Sequence, residues 1–158
     1  MLSFFLEIPM DAFDEILSVN LKAPFILSQL ASQQMIQQQI GGSIVNTSSI
    51  SAKVISAGLA HYECAKAGLH MLTRSSASAL AKHNIRVNGI APGLVTTNIN
   101  LAQRETNPDL WDSRVAKIPL GRSGEPKNIA AIATMLASDK SNWMTGSMIN
   151  VDGGQSVR

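Results

Sequence analysis

With 158 residues, 45% of them hydrophobic, the chain is long enough for one domain with a real core and too apolar to be disordered. A formal net charge of +2, spread along the sequence, argues against a dedicated nucleic-acid surface. No apolar run approaches the roughly 20 residues that span a bilayer, and a lone cysteine, Cys64, leaves no internal disulfide and fits a reducing, cytoplasmic setting.

Met1 to Leu6 is apolar but lacks a basic leader and a cleavage-like site, so it is expected to be a frayed lead-in and not a targeting signal. The first long helix is expected over roughly Asp11 to Gln39, with Asp11 as N-cap and Asp14 and Glu15 at its positive end. Phe13, Ile16, Ala23, Leu27 and Leu30 recur at helical steps and mark its inner face. Asn20 falls in the same series, where an unpaired amide costs about 1–3 kcal/mol. It is therefore either a satisfied structural asparagine or a working one. Pro24 removes an N–H and crowds the carbonyl four residues back, that of Asn20, so a bend is expected there with the Asn20 oxygen free for a water.

Gly41-Gly42 should end this helix. Ser43 to Thr47 then reads as a buried strand whose carboxyl end delivers Ser48 and Ser49 to a sheet edge, where open α/β sheets place ligands. A second helix is expected from about Ala60 to His83, with Ala65, Leu69, Leu72, Ser76 and Leu80 inward and Asn84 closing it. Near its start stand Tyr62 and Lys66, four apart and so on one helical face. An ammonium beside a phenol favours the phenolate, which suits a group that trades a proton with a carbonyl or alcohol. Cys64, two positions from each, points elsewhere and reads as a small helix residue.

Ile85 to Ala91 is the next expected strand, parallel to the first through the helical crossover. Pro92-Gly93 follows it, with Val95 and Thr97 close behind. Asn98 to Pro119 is the least regular part, broken at Asn107-Pro108, and its residues read as a surface helix pair. Pro126 opens another helix, with Ile129, Ile132, Ala133 and Leu136 inward. Met148 to Val151 is the last strand, closed by Asp152-Gly153-Gly154.

Ser49 precedes Tyr62 by thirteen residues, and Tyr62-x-x-x-Lys66 follows that gap. In this the sequence resembles the short-chain dehydrogenase/reductase family over nearly its whole length, but only the second half of the family's usual fold. Among members it looks most like glucose 1-dehydrogenases and 3-oxoacyl carrier-protein reductases. The resemblance implies an α/β fold, a partial Rossmann-like doubly wound parallel sheet of about three strands with flanking helices. It implies NAD or NADP as cofactor, a small carbonyl or alcohol substrate, and a homo-oligomer, a dimer or tetramer. No metal, nucleic acid or membrane is implied. The implied catalytic set is Asn20, within Val19-Asn20-Leu21, with Ser49, Tyr62 and Lys66. Tyr62 would be acid or base, Ser49 would hold the substrate oxygen, and Lys66 would tune Tyr62 and bind ribose. Asn20 would hold a water linking Lys66 to solvent. Tyr62, Lys66, Pro92, Gly93, Val95 and Thr97 would meet the cofactor. The resemblance alone also implies an equally good alternative for Asn98 to Pro119, a mobile lid that shapes a substrate pocket.

The family's Thr-Gly-x-x-x-Gly-x-Gly turn has no counterpart in these residues; Gly41-Gly42 precedes a strand, the wrong order for a phosphate-binding turn. The chain is thus expected to be a single partial domain that binds the dinucleotide poorly by itself, with impaired activity and an unpaired strand edge. The alternative is a non-catalytic fragment that acts by assembling with a full-length partner.

Overall fold

Three parallel strands carry the site. In the computed structural model, which describes residues 5–157, α1 (Met10–Leu17), a π-helical turn (Ser18–Lys22) and α2 (Ala23–Gln38) lead into β1 (Gly42–Thr47). Next come α3 (Ala60–Leu80), β2 (Ile85–Pro92), α4 (Leu101–Thr106), α5 (Pro108–Val115), α6 (Pro126–Ala137) and β3 (Met148–Val151). The strand order is β1-β2-β3 and both pairings are parallel, Gly42 opposite Ile85 and Gly89 opposite Met148. The expectation for Met1 to Leu6 lies mostly outside the described residues.

Side chains alternate across a strand, and each sheet face has its own helices. Ile44, Ile85 and Val87 pack with Ala77 and Leu80 of α3 and Met35 of α2. On the opposite face the Ser43 hydroxyl donates to the Leu136 carbonyl at 2.8 Å, and Arg86 donates to the carbonyls of Leu136 (2.9 Å) and Ser138 (3.1 Å). Arg86 so satisfies carbonyls that the end of α6 leaves without helical partners. Buried amides are paired as well. Asn46 donates to the Thr73 hydroxyl at 2.9 Å, and Asn88 donates to the Met144 carbonyl at 2.7 Å.

The first helix differs from its expected faces. Pro9, not Asp11, is the N-cap, because the first helical bond runs from Phe13 N–H to the Pro9 carbonyl at 3.0 Å. Leu27 and Leu30 are 65% and 57% exposed, while Ser28 and Ser32 are buried. The π turn explains this. Ala23 N–H reaches back five residues to the Ser18 carbonyl, which adds a residue to one turn and slips the register by about 100°. Eleven residues make about three α-turns, which would put Leu27 over Ile16; with the extra residue, Ser28 takes that place. The disturbance expected at Pro24 is real and takes the form of this π turn immediately before it.

α3 is off by a fraction of a turn. Its buried residues are Ala65, Lys66, Leu69, Thr73 and Ala77. Leu72, Ser76 and Leu80 are half-buried instead, on the flank that forms a groove with Phe25, Ser28 and Ser32 of α2. The turn before β1 also differs: Gln39 takes the left-handed cap at φ 57°, and Gly41 follows at φ 69°. Gly41 is fixed there, since a Cβ would sit 2.6 Å from the Asn84 carbonyl oxygen. Asn98 to Pro119 contains a surface helix pair, α4 and α5, split where the Asn107 side chain caps α5 ahead of Pro108.

Candidate functional site

The carboxyl end of β1 and the first turns of α3 are stitched together at Lys66. Its Nζ donates to the Thr47 carbonyl at 3.1 Å, and its own carbonyl accepts from the Ser48 hydroxyl at 3.2 Å. The ammonium lies 5.5 Å from the centroid of the Tyr62 ring, within cation–π range. Lys66 is only 9% exposed, and burial holds its pKa below the ordinary lysine value. One backbone carbonyl and one aromatic face therefore hold a desolvated cation.

Ser48 and Ser49 divide the work. Ser48 is buried, its hydroxyl spent on the Lys66 carbonyl and its N–H on the Ile90 carbonyl at 2.7 Å. Ser49 is extended, and its Oγ accepts from Ser51 N–H at 3.1 Å, which starts the 3-10 turn Ile50–Ala52. A hydroxyl that accepts one bond still has a proton to give. Glu63, in the first turn of α3, accepts from Ser56 N–H and pins the far end of the loop that follows Ser49.

A cavity of about 720 Å³ opens over Ser49. Its lining includes Gly93, Leu94 and Gln155, the apolar Ile50, Val54 and Leu59, and the cations Arg114 and Lys117. Of the residues singled out from sequence, Ser49 and Gly93 line it; Asn20, Tyr62, Lys66, Pro92, Val95 and Thr97 are not in its lining. Asn20 sits on the π turn, which docks on α3 where Leu21 covers Gly68; a Cβ on Gly68 would lie 2.8 Å from Leu21. The Asn20 amide donates to the Ile16 carbonyl at 3.1 Å, along its own helix. This bond satisfies the structural alternative left open for it.

Beyond β2, Gly93 N–H donates to the Val151 carbonyl at 3.1 Å, and Leu94 N–H donates to Gln155 Oε1 at 2.9 Å. A Cβ at Gly93 would come within 2.7–2.8 Å of Asp152 and Gln155, so this glycine is set by the close approach of the turn after β3. Asp152 holds that turn, accepting from the N–H groups of Gly154 (3.0 Å) and Ser156 (2.9 Å). Burial alone would raise its carboxyl, but the bonds from Ser156 and Gly154 outweigh this and keep it below the usual aspartate value. Val95 bridges to Gly124, and its carbonyl accepts from Asn100 at 2.7 Å. Thr97 caps the short turn Asn98–Asn100, its side chain accepting from Asn100 N–H. Gln155, Arg114 and Lys117 were not anticipated. Asp152-Gly153-Gly154 announced a turn next to Gln155, whereas nothing in the sequence brings the two cations to Ser49.

The enoyl-(acyl carrier protein) reductase family profile matches residues 2–156. L-rhamnose-1-dehydrogenase of Scheffersomyces stipitis is 44% identical over 150 residues, which is 95% of this chain and 58% of that protein. The chain belongs to the short-chain dehydrogenase/reductase family. L-rhamnose 1-dehydrogenase (NAD(P)(+)) of Sphingomonas is 43% identical over 156 residues, 97% of this chain and 60% of that protein. A short-chain type dehydrogenase/reductase from Mycobacterium marinum superposes at a TM-score of 0.89 with 36% identity, covering 97% of this chain and 59% of that one. A 4-hydroxyisoleucine dehydrogenase complexed with NADH superposes at 0.92 with 32% identity, over 98% and 63%. This short-chain dehydrogenase/reductase chain thus spans about 60% of the length of the relatives it matches. Its parallel sheet with helices on both faces is the part of their Rossmann fold that it shares.

Proposed function

We propose that the chain carries the proton-transfer centre of an NAD(P)-dependent oxidoreductase acting on a small carbonyl or alcohol of the sugar or 3-oxoacyl kind. One observation supports this most: Lys66 is desolvated, bound to the Thr47 carbonyl and placed over the Tyr62 ring, directly beside the strand end that presents Ser49 to a cavity. The nicotinamide end of the cofactor fits this place. Backbone at Pro92 and Gly93 lies at the carboxyl edge of a parallel sheet, and the buried cation suits a ribose oxygen. When bound, the cofactor gives hydride to a carbonyl carbon or takes it from an alcohol carbon. Tyr62 supplies the proton to the carbonyl oxygen in reduction and removes it in oxidation. Ser49 donates a hydrogen bond to that oxygen as its charge grows. Lys66 keeps its cation 5.5 Å from the centroid of the Tyr62 ring. Asn20 belongs to this set as the proposed holder of a relay water, and Val95 and Thr97 as further cofactor contacts.

Relatives named as rhamnose dehydrogenases support the sugar reading, and one named for NAD(P)(+) supports either dinucleotide. Taken alone, the 158 residues are proposed to form one partial domain with weak dinucleotide affinity, which a titration with NADH and NADPH tests. An oligomer, or assembly with a longer partner chain, is the second reading. The exposed Phe25, Leu27 and Leu30 favour it, as does the β1 edge, unpaired among the described residues. Among the described residues no helix is long and apolar enough to cross a membrane. The free, exposed thiol of Cys64 suits a reducing, cytoplasmic setting.

The experiment is NAD(P)-linked turnover of L-rhamnose and of acetoacetate esters by wild type, Ser49→Ala and Ser48→Ala. Ser49→Ala is expected to lose about 10²-fold or more, and Ser48→Ala much less. Absence of turnover in wild type at saturating NADH or NADPH, or full activity in Ser49→Ala, contradicts the proposal.

A further inference from the structure

The cavity over Ser49 is also lined by two cations, Arg114 and Lys117. Arg114 closes the last turns of α5, and Lys117 follows it in a turn made by Lys117 N–H and the Arg114 carbonyl at 3.2 Å. Three residues apart, the two side chains share one side of this turn, and both line the cavity that also contains Ser49. Among the described residues no aspartate or glutamate lines it, Glu63 being engaged by the Ser56 N–H, and the ion pair found among them, Lys127 with Glu125, involves neither cation. Arg114 is not loose: Nη1 donates to Gln103 Oε1 at 2.7 Å, which ties α5 to α4. That bond uses one of five N–H donors, so most of the guanidinium fork stays free.

Cations near a helix C-terminus also complement its dipole. The dipole accounts for their place on α5 but not for a shared cavity free of acids. We infer that this cavity takes a substrate with a carboxylate, read by Arg114 and Lys117, on a molecule whose carbonyl or alcohol reaches Ser49. The inference deepens the oxidoreductase reading and rests on it for the identity of the cavity. Ile50, Val54 and Leu59 also line the cavity and offer apolar contact to the carbons of such a molecule. A volume of about 720 Å³ admits a six-carbon acid with room to spare. Sugar acids and short oxo acids fit this description, and neutral sugars of the same length leave the cations without a partner.

The test is binding, which needs no turnover. Ligand-observed NMR titrations of the full chain compare gluconate with sorbitol, six-carbon polyols that differ in one terminal carboxylate. Gluconate is expected to bind about fivefold or more tighter at low salt, with the preference shrinking as salt rises. Arg114→Gln and Lys117→Gln should each remove part of the preference, and the double variant all of it. Both side chains are exposed, so folding should be unaffected, and a thermal melt of each variant verifies this. Equal binding of the two polyols, no binding of gluconate, or a preference that survives the double variant overturns the inference. Failure of the oxidoreductase reading would appear separately, as absent NAD(P)-linked turnover despite an intact gluconate preference.

Discussion

The seam between β1 and α3 and the pair α4 and α5 flank one cavity, which Ser49 and Leu59 line beside the first and Arg114 from the second, yet they are built on opposite plans. At the seam, Ala65, Lys66, Leu69 and Thr73 are buried, and backbone carbonyls and hydroxyls tie each polar group down. In α4 and α5 no residue is buried, and two side-chain contacts tie them: the bond from Arg114 to Gln103 and the Arg104 guanidinium 5.7 Å from the Trp111 ring centroid. The seam holds its groups in fixed positions, which proton transfer requires. The helix pair presents charge on a surface that can shift at little cost, which suits choosing among substrates. The proposed chemistry and the proposed selectivity thus fall to regions that differ in burial.

The sharpest way to break this contrast is Lys66→Met. Turnover should fall by about 10²–10⁴-fold, while the denaturant midpoint at pH 7 should stay level or rise, because a buried cation is removed. The sign follows from the lowered Lys66 pKa. The folded state binds this proton less readily than the unfolded one, so wild-type stability climbs with pH between the lowered value and the ordinary 10.5. Lys66→Met should lack that climb; urea titrations at several pH values show whether it does. A large drop in midpoint at pH 7 would mean that Lys66 is mainly a structural tie.

Gly93→Ala comes next. Its Cβ would press on the Asp152 backbone, which cannot swing aside as a side-chain tip can. A loss of about 1–3 kcal/mol is expected in urea unfolding, and a neutral result would show the turn after β3 to be mobile. Asp152→Asn is smaller: the variant is less stable than wild type at neutral pH, and the difference closes in acid. The folded carboxyl sits below 3.8, so its contribution is present above that pH and fades as pH falls through the lower value. Wild type should lose stability in this window faster than the variant, as read by melts from pH 5 downward. Arg114→Gln should be the smallest of all, within about 0.5 kcal/mol of wild type. A large destabilisation there would place α5 among the rigid parts and undo the comparison.

The buried region was the more legible one. Tyr62 and Lys66 share a helical face by their spacing, but the spacing alone is a weak signal, and Ser49 joins them only through the family resemblance. Pro126 and the strands at Ser43, Ile85 and Met148 were plainer, since short apolar runs between turn residues leave little choice. Leu27 and Leu30 misled because a π turn upstream changes the period by one residue, and periodicity analysis assumes a constant one. The true stripe of α3 was hidden by Lys66 and Thr73, polar residues buried through bonds to Thr47 and Asn46 that only the fold provides. Arg114 and Lys117 gave no signal at all. A cation on an exposed helix looks the same whether it faces solvent or a cavity, and what decides is the packing of α5 across more than 60 residues from Ser49.

Tyr62 is the chain's single tyrosine, and the claim that it exchanges the proton is tested most directly by NAD(P)-linked turnover of Tyr62→Phe, which removes one oxygen atom and leaves the ring over Lys66. The account predicts a fall of at least about 10² in kcat with an unchanged urea midpoint. Turnover equal to that of wild type would contradict it.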